Sequence, residues 1–443
     1  MDASHTYVLH CRTQSGEPVR FYYNPHTSEL VDERGGAVVP AEPPPRPYAE
    51  ATRVSPSQPG RKSSAPRVLK IQLGLKCNYS CSYCNQASHV AEASETRTAD
   101  AERFLEGLGD WLTEEPARIE FWGGEPFVYF AKLKKLVPAL RARFPDAELN
   151  IVTNGSLIDG EILEFVERHD IQLAVSHDGP GQHLRGPDPF DDPERAAWLR
   201  ELWRRRGPLG RVSFNAVFSP ANCDVEKTHR WFVEKIGDPE VALSTEGAVV
   251  TYDGDAARGS GRYTAEQYET LHRSMVKAFE SGVAQRFTTV LQHAGDFIES
   301  LYGRRPSSAL GQKCGMDRAD ELAVDLAGNV MTCQNTGSQG KHGIGSVADI
   351  EGVRLDTAWH WSHRDTCSHC PVLQLCKGSC MFLEDELFAQ SCENEYRYGN
   401  AILAGVIKYV TGCELERIEG DIRRPRPRRR IPIKAVPSLT APG

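Results

Sequence analysis

A regular alternation of strand-like and helix-like segments between residues 68 and 250 is the feature that most constrains the fold. Short apolar runs alternate with longer amphipathic stretches. The strand-like runs are VLKIQLGL, RIEFWGG, ELNIVTNG, IQLAVSHDG, RVSFNAVF and VALSTEGAVV, and the helical patterns between them cover 99–114, 131–143, 159–168, 192–206 and 224–236. Strands that feed helices in this rhythm form a parallel sheet covered by helices, with ligands at the carboxyl ends of the strands. We therefore predict an α/β domain of about six units, open or closed into a barrel.

The flanking segments differ in composition from this domain. Two β-like runs near the amino terminus, Thr6 to Cys11 and Val19 to Tyr23, predict a hairpin that is too small to bury a core alone. Helical patterns at 264–282 and 285–302 precede a cysteine-rich stretch, and another helix is expected near 393–410. The predicted divisions are a β-like segment at 1–34, a Pro/Ser-rich linker at 35–66, the α/β domain at 67–305, a cysteine-rich domain at 306–412 and a basic, Pro-rich, disordered tail at 413–443.

Charge and cysteine content narrow the function classes. With 52 basic and 60 acidic residues, the net charge of −8 provides no positive field to gather nucleic acid or an anionic membrane. The basic tail lacks stacking aromatics. No export signal and no apolar run of about 20 residues is present, so we expect a cytoplasmic protein. The 13 cysteines are odd in number and mostly closely spaced, which favours metal clusters over disulfides.

Three of these cysteines, Cys77, Cys81 and Cys84, directly follow the first predicted strand. A four-iron cluster normally takes four thiolates, so three leave one iron able to accept an outside ligand. The alternatives are a structural zinc site that lacks its fourth ligand, or three neighbouring buried thiols.

Small and polar residues follow the next strands. The second strand leads into Gly123, Gly124, Glu125 and Pro126, where the glycines allow a close backbone approach. The ends of the later strands supply Thr153, Asn154, Ser176, Asp178 and Asn215. Each of these segments alone is also compatible with a turn or a helix N-cap.

Together, the CxxxCxxC spacing and the GGEP sequence resemble the radical S-adenosylmethionine (SAM) superfamily. The resemblance implies a partial (β/α)6 barrel and a [4Fe-4S] cluster on Cys77, Cys81 and Cys84, at which SAM yields a 5′-deoxyadenosyl radical. It implies that the GGEP residues grip the methionyl amine and that Tyr83 lies near the adenine. It further implies ribose and carboxylate contacts from Thr153, Asn154, Ser176 and Asp178, a cofactor contact from Asn215, and an external flavodoxin- or ferredoxin-like electron donor.

The second group of cysteines is Cys314, Cys333, Cys367, Cys370, Cys376, Cys380 and Cys392. Their spacing resembles the SPASM extension of radical SAM enzymes, which carries auxiliary [4Fe-4S] clusters. By that resemblance Cys367, Cys370, Cys376 and Cys392 hold one cluster, and Cys314, Cys333 and Cys380 hold another. No cysteine occurs in PSSALGQK, so the second cluster has an open iron or is closed by water, a carboxylate or Cys223. Two structural zinc sites are the alternative.

The SPASM resemblance implies a precursor peptide or protein as substrate, with ribosomal peptide maturation such as cross-linking as one outcome. Gln334 follows Cys333, where sulfatase-maturing relatives have a basic Asp, and this weakens a sulfatase interpretation. The amino-terminal strands are expected to cap the protein or to bind a leader peptide by strand addition. For His177, His183 and Arg185 a solvated loop is favoured over substrate contacts, and for Asp317, Asp320 and Asp325 a charged loop is favoured over proton transfer. The sequence does not identify the catalytic acid or base, and it leaves open a small-molecule substrate or a zinc-stabilised adaptor.

Overall fold

The computed structural model describes residues 5–43, 46–90, 96–247, 249 and 261–425. Residues 426–443 of the predicted tail lie outside this range. Before the cysteine-rich region, the elements are β1 (Tyr7–Arg12), β2 (Pro18–Asn24), β3 (Glu29–Asp32), β4 (Gly60–Arg61), β5 (Val68–Gln72), α1 (Thr98–Trp111), β6 (Arg118–Trp122), α2 (Phe130–Arg143), β7 (Glu148–Thr153), α3 (Gly160–Arg168), β8 (Ile171–Ser176), α4 (Pro193–Arg206), β9 (Val212–Val217), α5 (Val225–Ile236), β10 (Leu243–Glu246), α6 (Ala265–Ser281) and α7 (Thr288–Gly303). The remaining elements are β11 (Glu321–Asp325), β12 (Asn329–Met331), β13 (Gly343–Ser346), β14 (Arg354–Leu355), α8 (Asp365–Ser368), α9 (Leu373–Cys376), α10 (Asp385–Thr411) and β15 (Glu414–Glu419).

The main sheet contains the predicted α/β core. Strands β5 to β10 are parallel and adjacent in chain order, and helices α1 to α5 connect them. Every residue of β5 is buried, as expected for a parallel strand that is packed on both faces. The predicted partial (β/α)6 architecture is confirmed, and the described strands form an open sheet with β10 and β13 at its edges.

The cysteine-rich region extends the same sheet. Strand β11 pairs in parallel with β5, and β12 and β13 continue the sheet in antiparallel pairing. The side-chain amide of Gln72 at the end of β5 donates to the carbonyls of Gln334 and Thr336, at 3.1 and 2.6 Å. The segment after Cys333 is thereby held beside the carboxyl end of β5.

The amino-terminal segment forms a second, antiparallel sheet, in which β1 and β2 are the predicted hairpin. Its strand order is β15-β1-β2-β3. Because β15 lies within the segment from residue 413 that we expected to be disordered, that expectation is wrong for residues 414–419. The sequence ELERIE has only one buried residue, Leu415, so no apolar alternation reveals the strand.

The predicted linker is docked rather than free. Strand β4 pairs with β14, and Val54 is fully buried in an apolar cluster with Met316 and Cys333. The buried Lys62 ammonium donates to three main-chain carbonyls of the segment 316–321. Burial of these groups, which composition alone did not indicate, fixes the segment on the cysteine-rich region. The closing helix α10 also begins at Asp385, earlier than predicted. Within the described ranges, none of the helices is both long and apolar enough to cross a membrane.

Candidate active site

The Cys77–Cys84 loop forms one wall of a cavity of about 790 Å³ at the carboxyl ends of the parallel strands. All three cysteines of the loop line this cavity. The predicted SAM-contacting residues on its wall are Tyr83, Gly123, Gly124, Glu125, Thr153, Asn154, Ser176 and Asn215. Pro126 and Asp178 are buried and are not among the lining residues. The volume lies within the usual range of small-molecule sites.

The two glycines of the GGEP sequence pack against the chain that leads into the cysteine loop. The Gly124 amide donates to the Gly74 carbonyl at 3.1 Å, and the Glu125 amide donates to the Lys76 carbonyl at 2.9 Å. A side chain at Gly124 would collide with the carbonyls of Leu75 and Lys76. The glycines therefore seat the cysteine loop on the end of β6 in addition to lining the cavity.

Glu125 joins the ends of β6 and β7. It is 1% exposed. Its carboxylate accepts hydrogen bonds from the Thr153 hydroxyl at 2.7 Å, from the main-chain amide of Asn154 at 2.7 Å and from the main-chain amide of Phe127 at 3.1 Å. Burial raises the pKa of this carboxyl, while the hydrogen bonds oppose the shift. Glu125 thus acts as a brace that fixes two strand ends at the cavity.

A second polar bridge connects the cysteine loop to the end of β7. The side-chain oxygen of Asn78 accepts a hydrogen bond from the side-chain amide of Asn154 at 2.8 Å. The side-chain amide of Asn78 donates to the Ser156 hydroxyl, also at 2.8 Å. The Ser156 hydroxyl in turn donates to the Asn154 side-chain oxygen at 2.6 Å. This closed set of bonds orders the loop between Cys77 and Cys81.

A buried triad of Tyr83, Asp178 and Arg185 lies near Cys81 of the loop. The Tyr83 hydroxyl donates to Asp178, and the Arg185 guanidinium donates to the Tyr83 hydroxyl at 2.9 Å and lies 3.5 Å from the Asp178 carboxylate. Burial raises the pKa of Tyr83. Burial opposes the charge of Arg185, but Tyr83 and Asp178 raise its pKa overall. Arg185 therefore stays ionised while Tyr83 stays neutral.

The loop after β8 corrects one expectation from the sequence. Arg185 is not in a solvated loop, because its side chain is only 13% exposed and lines the cavity. His177 is fully buried, bonds to Asp188 at 3.0 Å and stacks on Trp231, so it is a satisfied core histidine rather than a ligand-binding residue. His183 remains exposed. The sequence around Arg185 carried no pattern that distinguishes it from surface arginines.

The cysteine-rich region brings its thiols together in two sets. Cys367, Cys370, Cys376 and Cys392 line one small cavity of about 10 Å³, which we call the closed cavity because its free space is about that of one water molecule. Cys333 lies close enough to Cys314 to raise the pKa of Cys314, and both raise the pKa of Cys380, in each case in addition to the larger effect of desolvation. Both groupings match those that the SPASM resemblance implied. In the described part of the chain, no three Cys, His, Asp or Glu side chains converge closely enough for a single metal ion.

Acidic residues near these thiols have different surroundings. Asp320 pairs with Arg318, and Asp325 accepts from the Ala327 and Asn329 amides, so both stabilise turns as expected. Asp317 lies beside Cys314, is 5% exposed and has one buried carboxylate oxygen without a hydrogen-bond partner. Cys223 lies after β9, where its neighbours are Asp224, Lys227 and Tyr263.

The far wall of the cavity holds a carboxylate that the sequence did not single out. Glu246 ends β10, lines the cavity and is exposed. Its neighbours are the Lys313 ammonium, which is ion-paired with Glu395 at 3.0 Å, and the neutral side chain of Tyr398. Gln334 and Asn335 from the cysteine-rich region line the same cavity. The two cysteine-bearing regions therefore share one site.

Comparison with known proteins agrees with this arrangement. Residues 71–217 match the profile of the Radical SAM superfamily. The chain is 22% identical over 337 residues to the radical SAM cyclopropyl synthase TigE of Paramaledivibacter caminithermalis, a match that covers 71% of this chain and 68% of the relative. It is 23% identical over 358 residues to a cysteine-type anaerobic sulfatase-maturating enzyme of Clostridium perfringens, covering 72% and 90% of the two chains.

A solved structure shows the same fold. The structure of native anSMEcpe with bound AdoMet and Cp18Cys peptide aligns with a TM-score of 0.54 at 19% identity, covering 78% of this chain and 98% of that one. The profile match and the relatives confirm the interpretation as a radical SAM enzyme of the SPASM-bearing type. The superfamily implies SAM and one [4Fe-4S] cluster as cofactors.

Proposed function

We propose that this radical SAM enzyme oxidatively modifies a peptide or protein chain, with maturation of a ribosomally made peptide, such as cross-link formation, as the favoured case. The observation that carries the proposal is the shared cavity, which joins the three-cysteine loop to a wall supplied by the cysteine-rich region. Relatives that match along most of this chain include a sulfatase-maturating enzyme, and the solved relative was crystallised with a peptide.

Within the proposal, Cys77, Cys81 and Cys84 hold the cluster that binds SAM. Three thiols that lie near one another at the wall of a large polar cavity fit a cluster with one open iron and a polar ligand beside it. SAM bound there would supply a 5′-deoxyadenosyl radical for abstraction of a hydrogen atom from the substrate. The GGEP backbone and the strand-end residues Thr153, Asn154, Ser176 and Asn215 orient the cofactor, while Asp178 acts by positioning Tyr83.

Two auxiliary [4Fe-4S] clusters complete the proposal. The four thiols around the closed cavity fit a fully cysteine-ligated cluster. The three thiols of Cys314, Cys333 and Cys380 require a fourth ligand, and the unpartnered oxygen of Asp317 favours the carboxylate among the options that the sequence left open. A flavodoxin- or ferredoxin-like protein is the proposed external electron donor.

Oxidation of the substrate also requires that one electron and one proton leave the substrate radical. We assign the proton to the Glu246 carboxylate, because Gln334 has no basic side chain and the other lining carboxylate, Glu125, is already occupied by three donors. The auxiliary clusters are the proposed acceptors of the electron.

Co-expression with short peptides encoded by neighbouring genes, under iron-replete anaerobic conditions, tests this function. A mass change in one peptide that depends on Cys81 supports the proposal, and Glu246→Gln should then lower the amount of product per 5′-deoxyadenosine at least ~10-fold. Glu246→Asp should restore part of the yield, and the exposed Glu240→Gln should match wild type. Absence of any mass change, with 5′-deoxyadenosine still formed, would contradict a peptide substrate and favour a small molecule.

A further inference from the structure

The chain that follows β15 brings an arginine to the closed cysteine cavity. Arg424 lines this cavity together with Cys367, Cys370, Cys376 and Cys392. Its guanidinium donates to the main-chain carbonyl of Cys392 at 2.8 Å, and its carbon lies 4.1 Å from the centroid of the Tyr396 ring. The side chain is 25% exposed. A cation is thus fixed beside the four thiols by directed contacts.

The positive charge of Arg424 is only partly neutralised. Its guanidinium lies 3.1 Å from the Glu393 carboxylate, but this carboxylate also pairs with Arg397 at 2.7 Å. Two guanidinium groups therefore share one carboxylate. Arg364, another cation near these thiols, donates to the carbonyls of Gly378, Cys380 and Leu383 and lies over Phe388.

The amino-terminal sheet holds Arg424 in this place. Strand β15 pairs with β1, and the Arg423 amide then donates to the His369 carbonyl at 3.2 Å. On the other side, the His26 ring bonds to the Ser368 carbonyl at 2.8 Å, and the Gln374 side chain donates to the Pro25 carbonyl at 2.7 Å. The side chain of the adjacent Arg423 is about half exposed and pairs with Asp421.

We propose that Arg424 sets the reduction potential of the cluster held by Cys367, Cys370, Cys376 and Cys392, and that the sheet of β1, β2, β3 and β15 positions it. The inference depends on the proposed function, because that function places a cluster on these four cysteines. Reduction adds one electron, and hence one negative charge, to the cluster. A nearby cation in a poorly solvated site stabilises the reduced form, so it raises the potential.

Redox titration followed by electron paramagnetic resonance tests this role in the anaerobically reconstituted full chain. All variants carry Cys77→Ala, Cys81→Ala and Cys84→Ala, so that only the auxiliary signals remain. Arg424→Gln should make reduction about tenfold less favourable, a shift of ~59 mV to lower potential for one electron. Arg424→Lys should retain most of the wild-type potential, and the exposed Arg423→Gln should leave it unchanged.

Glu393→Gln provides an independent readout if Arg424→Gln loses iron. Removal of this carboxylate leaves the guanidinium charge less compensated, so the potential should rise. An unchanged potential in Arg424→Gln or Glu393→Gln, with the cluster intact, would overturn the inference, as would equal potentials in Arg424→Lys and Arg424→Gln. Failure of the cluster assignment is distinguishable, because the parent chain would then show no four-iron signal that Cys392→Ala removes, whereas a failed peptide test would leave that signal in place.

Discussion

The two cysteine-bearing regions of this chain are built in opposite ways. Cys77 is exposed, and its loop opens on a large cavity whose walls carry hydroxyl, amide and carboxylate groups. Cys367 and Cys370 are 6% and 8% exposed, and the cavity they share with Cys376 and Cys392 is about the size of one water molecule. An open site suits an exchangeable organic ligand, whereas a closed site suits a permanently held cluster.

The two regions also differ in the side chains that surround their cysteines. Side-chain hydrogen bonds of Glu125, Asn78 and Asp178 order the open site. The thiols of the closed site are surrounded by Val372, Leu373 and Phe388, and burial raises the pKa of Cys367 and Cys370 to about 12. This comparison indicates that the first region folds around its own hydrogen bonds, and it supports the proposal that the second folds around a cluster.

Alanine substitution in each region should give the largest contrast. Cys81→Ala is expected to lower 5′-deoxyadenosine formation at least ~1,000-fold and to leave the free energy of unfolding within ~1 kcal/mol of wild type. Cys370→Ala should lower that free energy by at least ~3 kcal/mol, because cluster binding there is part of folding. Anaerobic denaturation and iron analysis measure both effects. If Cys81→Ala and Cys370→Ala had equal free energies of unfolding, the two regions would not differ in their dependence on a bound cluster.

Glu125→Ala tests whether the open site depends on its own hydrogen bonds. The change leaves the Thr153 hydroxyl and the Asn154 and Phe127 amides without their acceptor, and we expect a loss of about 3–5 kcal/mol. Chemical denaturation under anaerobic conditions gives the value. Glu115→Ala, in an exposed loop, serves as the control and should change stability by less than ~0.5 kcal/mol. A similar free energy of unfolding for both variants would mean that the hydrogen bonds accepted by Glu125 contribute little to stability.

His293 lies on α7 against Tyr398 and should make stability depend on pH. Burial, with a smaller contribution from the Lys313 ammonium, lowers its pKa to about 4, so the unfolded chain protonates first as the pH falls. The contribution to stability is complete above the unfolded pKa of ~6.5 and decreases by about 1.4 kcal/mol for each unit below it. Between pH 7.5 and 5.5, wild type should therefore lose roughly 1–1.5 kcal/mol more than His293→Gln. If the free energies of unfolding of wild type and His293→Gln changed equally with pH, His293 would not be the source of the pH dependence.

Tyr83→Phe should have a modest effect on stability and little effect on SAM binding. Loss of the hydroxyl removes its bonds to Asp178 and Arg185 but keeps the ring, so we expect about 1–2 kcal/mol lower stability and a SAM affinity within roughly threefold of wild type. Denaturation and equilibrium dialysis measure the two quantities. Tyr409→Phe is the control, because that side chain is 72% exposed. A large loss of SAM affinity would show that the hydroxyl itself contacts the cofactor.

Regular periodicity explains which parts of the fold the sequence predicted. The six parallel strands and their helices were located to within a few residues, because apolar runs and amphipathic helices alternate without interruption. The missed strand β15 is mostly charged, and its partner β1 lies about 400 residues earlier in the chain. Neither local pattern nor composition reports such a pairing.

The residues of the candidate site also fall into those that the sequence predicted and those that only the structure reveals. The cysteines and the strand-end residues were found because their spacing forms motifs, and most of them line one cavity. Arg185 and Glu246 have no motif, and only the folded chain brings them to the cavity wall. Glu125 also links β6 to β7 only because the ends of these two strands lie close together in the fold. That proximity cannot be read from the number of residues between them in the sequence.

Cleavage of SAM by the wild-type chain tests the central claim most directly. The protein should be purified and reconstituted without oxygen, and then incubated with SAM and a strong reductant. The account predicts a brown, iron-loaded protein that releases 5′-deoxyadenosine, and a variant with Cys77, Cys81 and Cys84 all replaced by Ala that releases none. A colourless, zinc-loaded protein that forms no 5′-deoxyadenosine would contradict it.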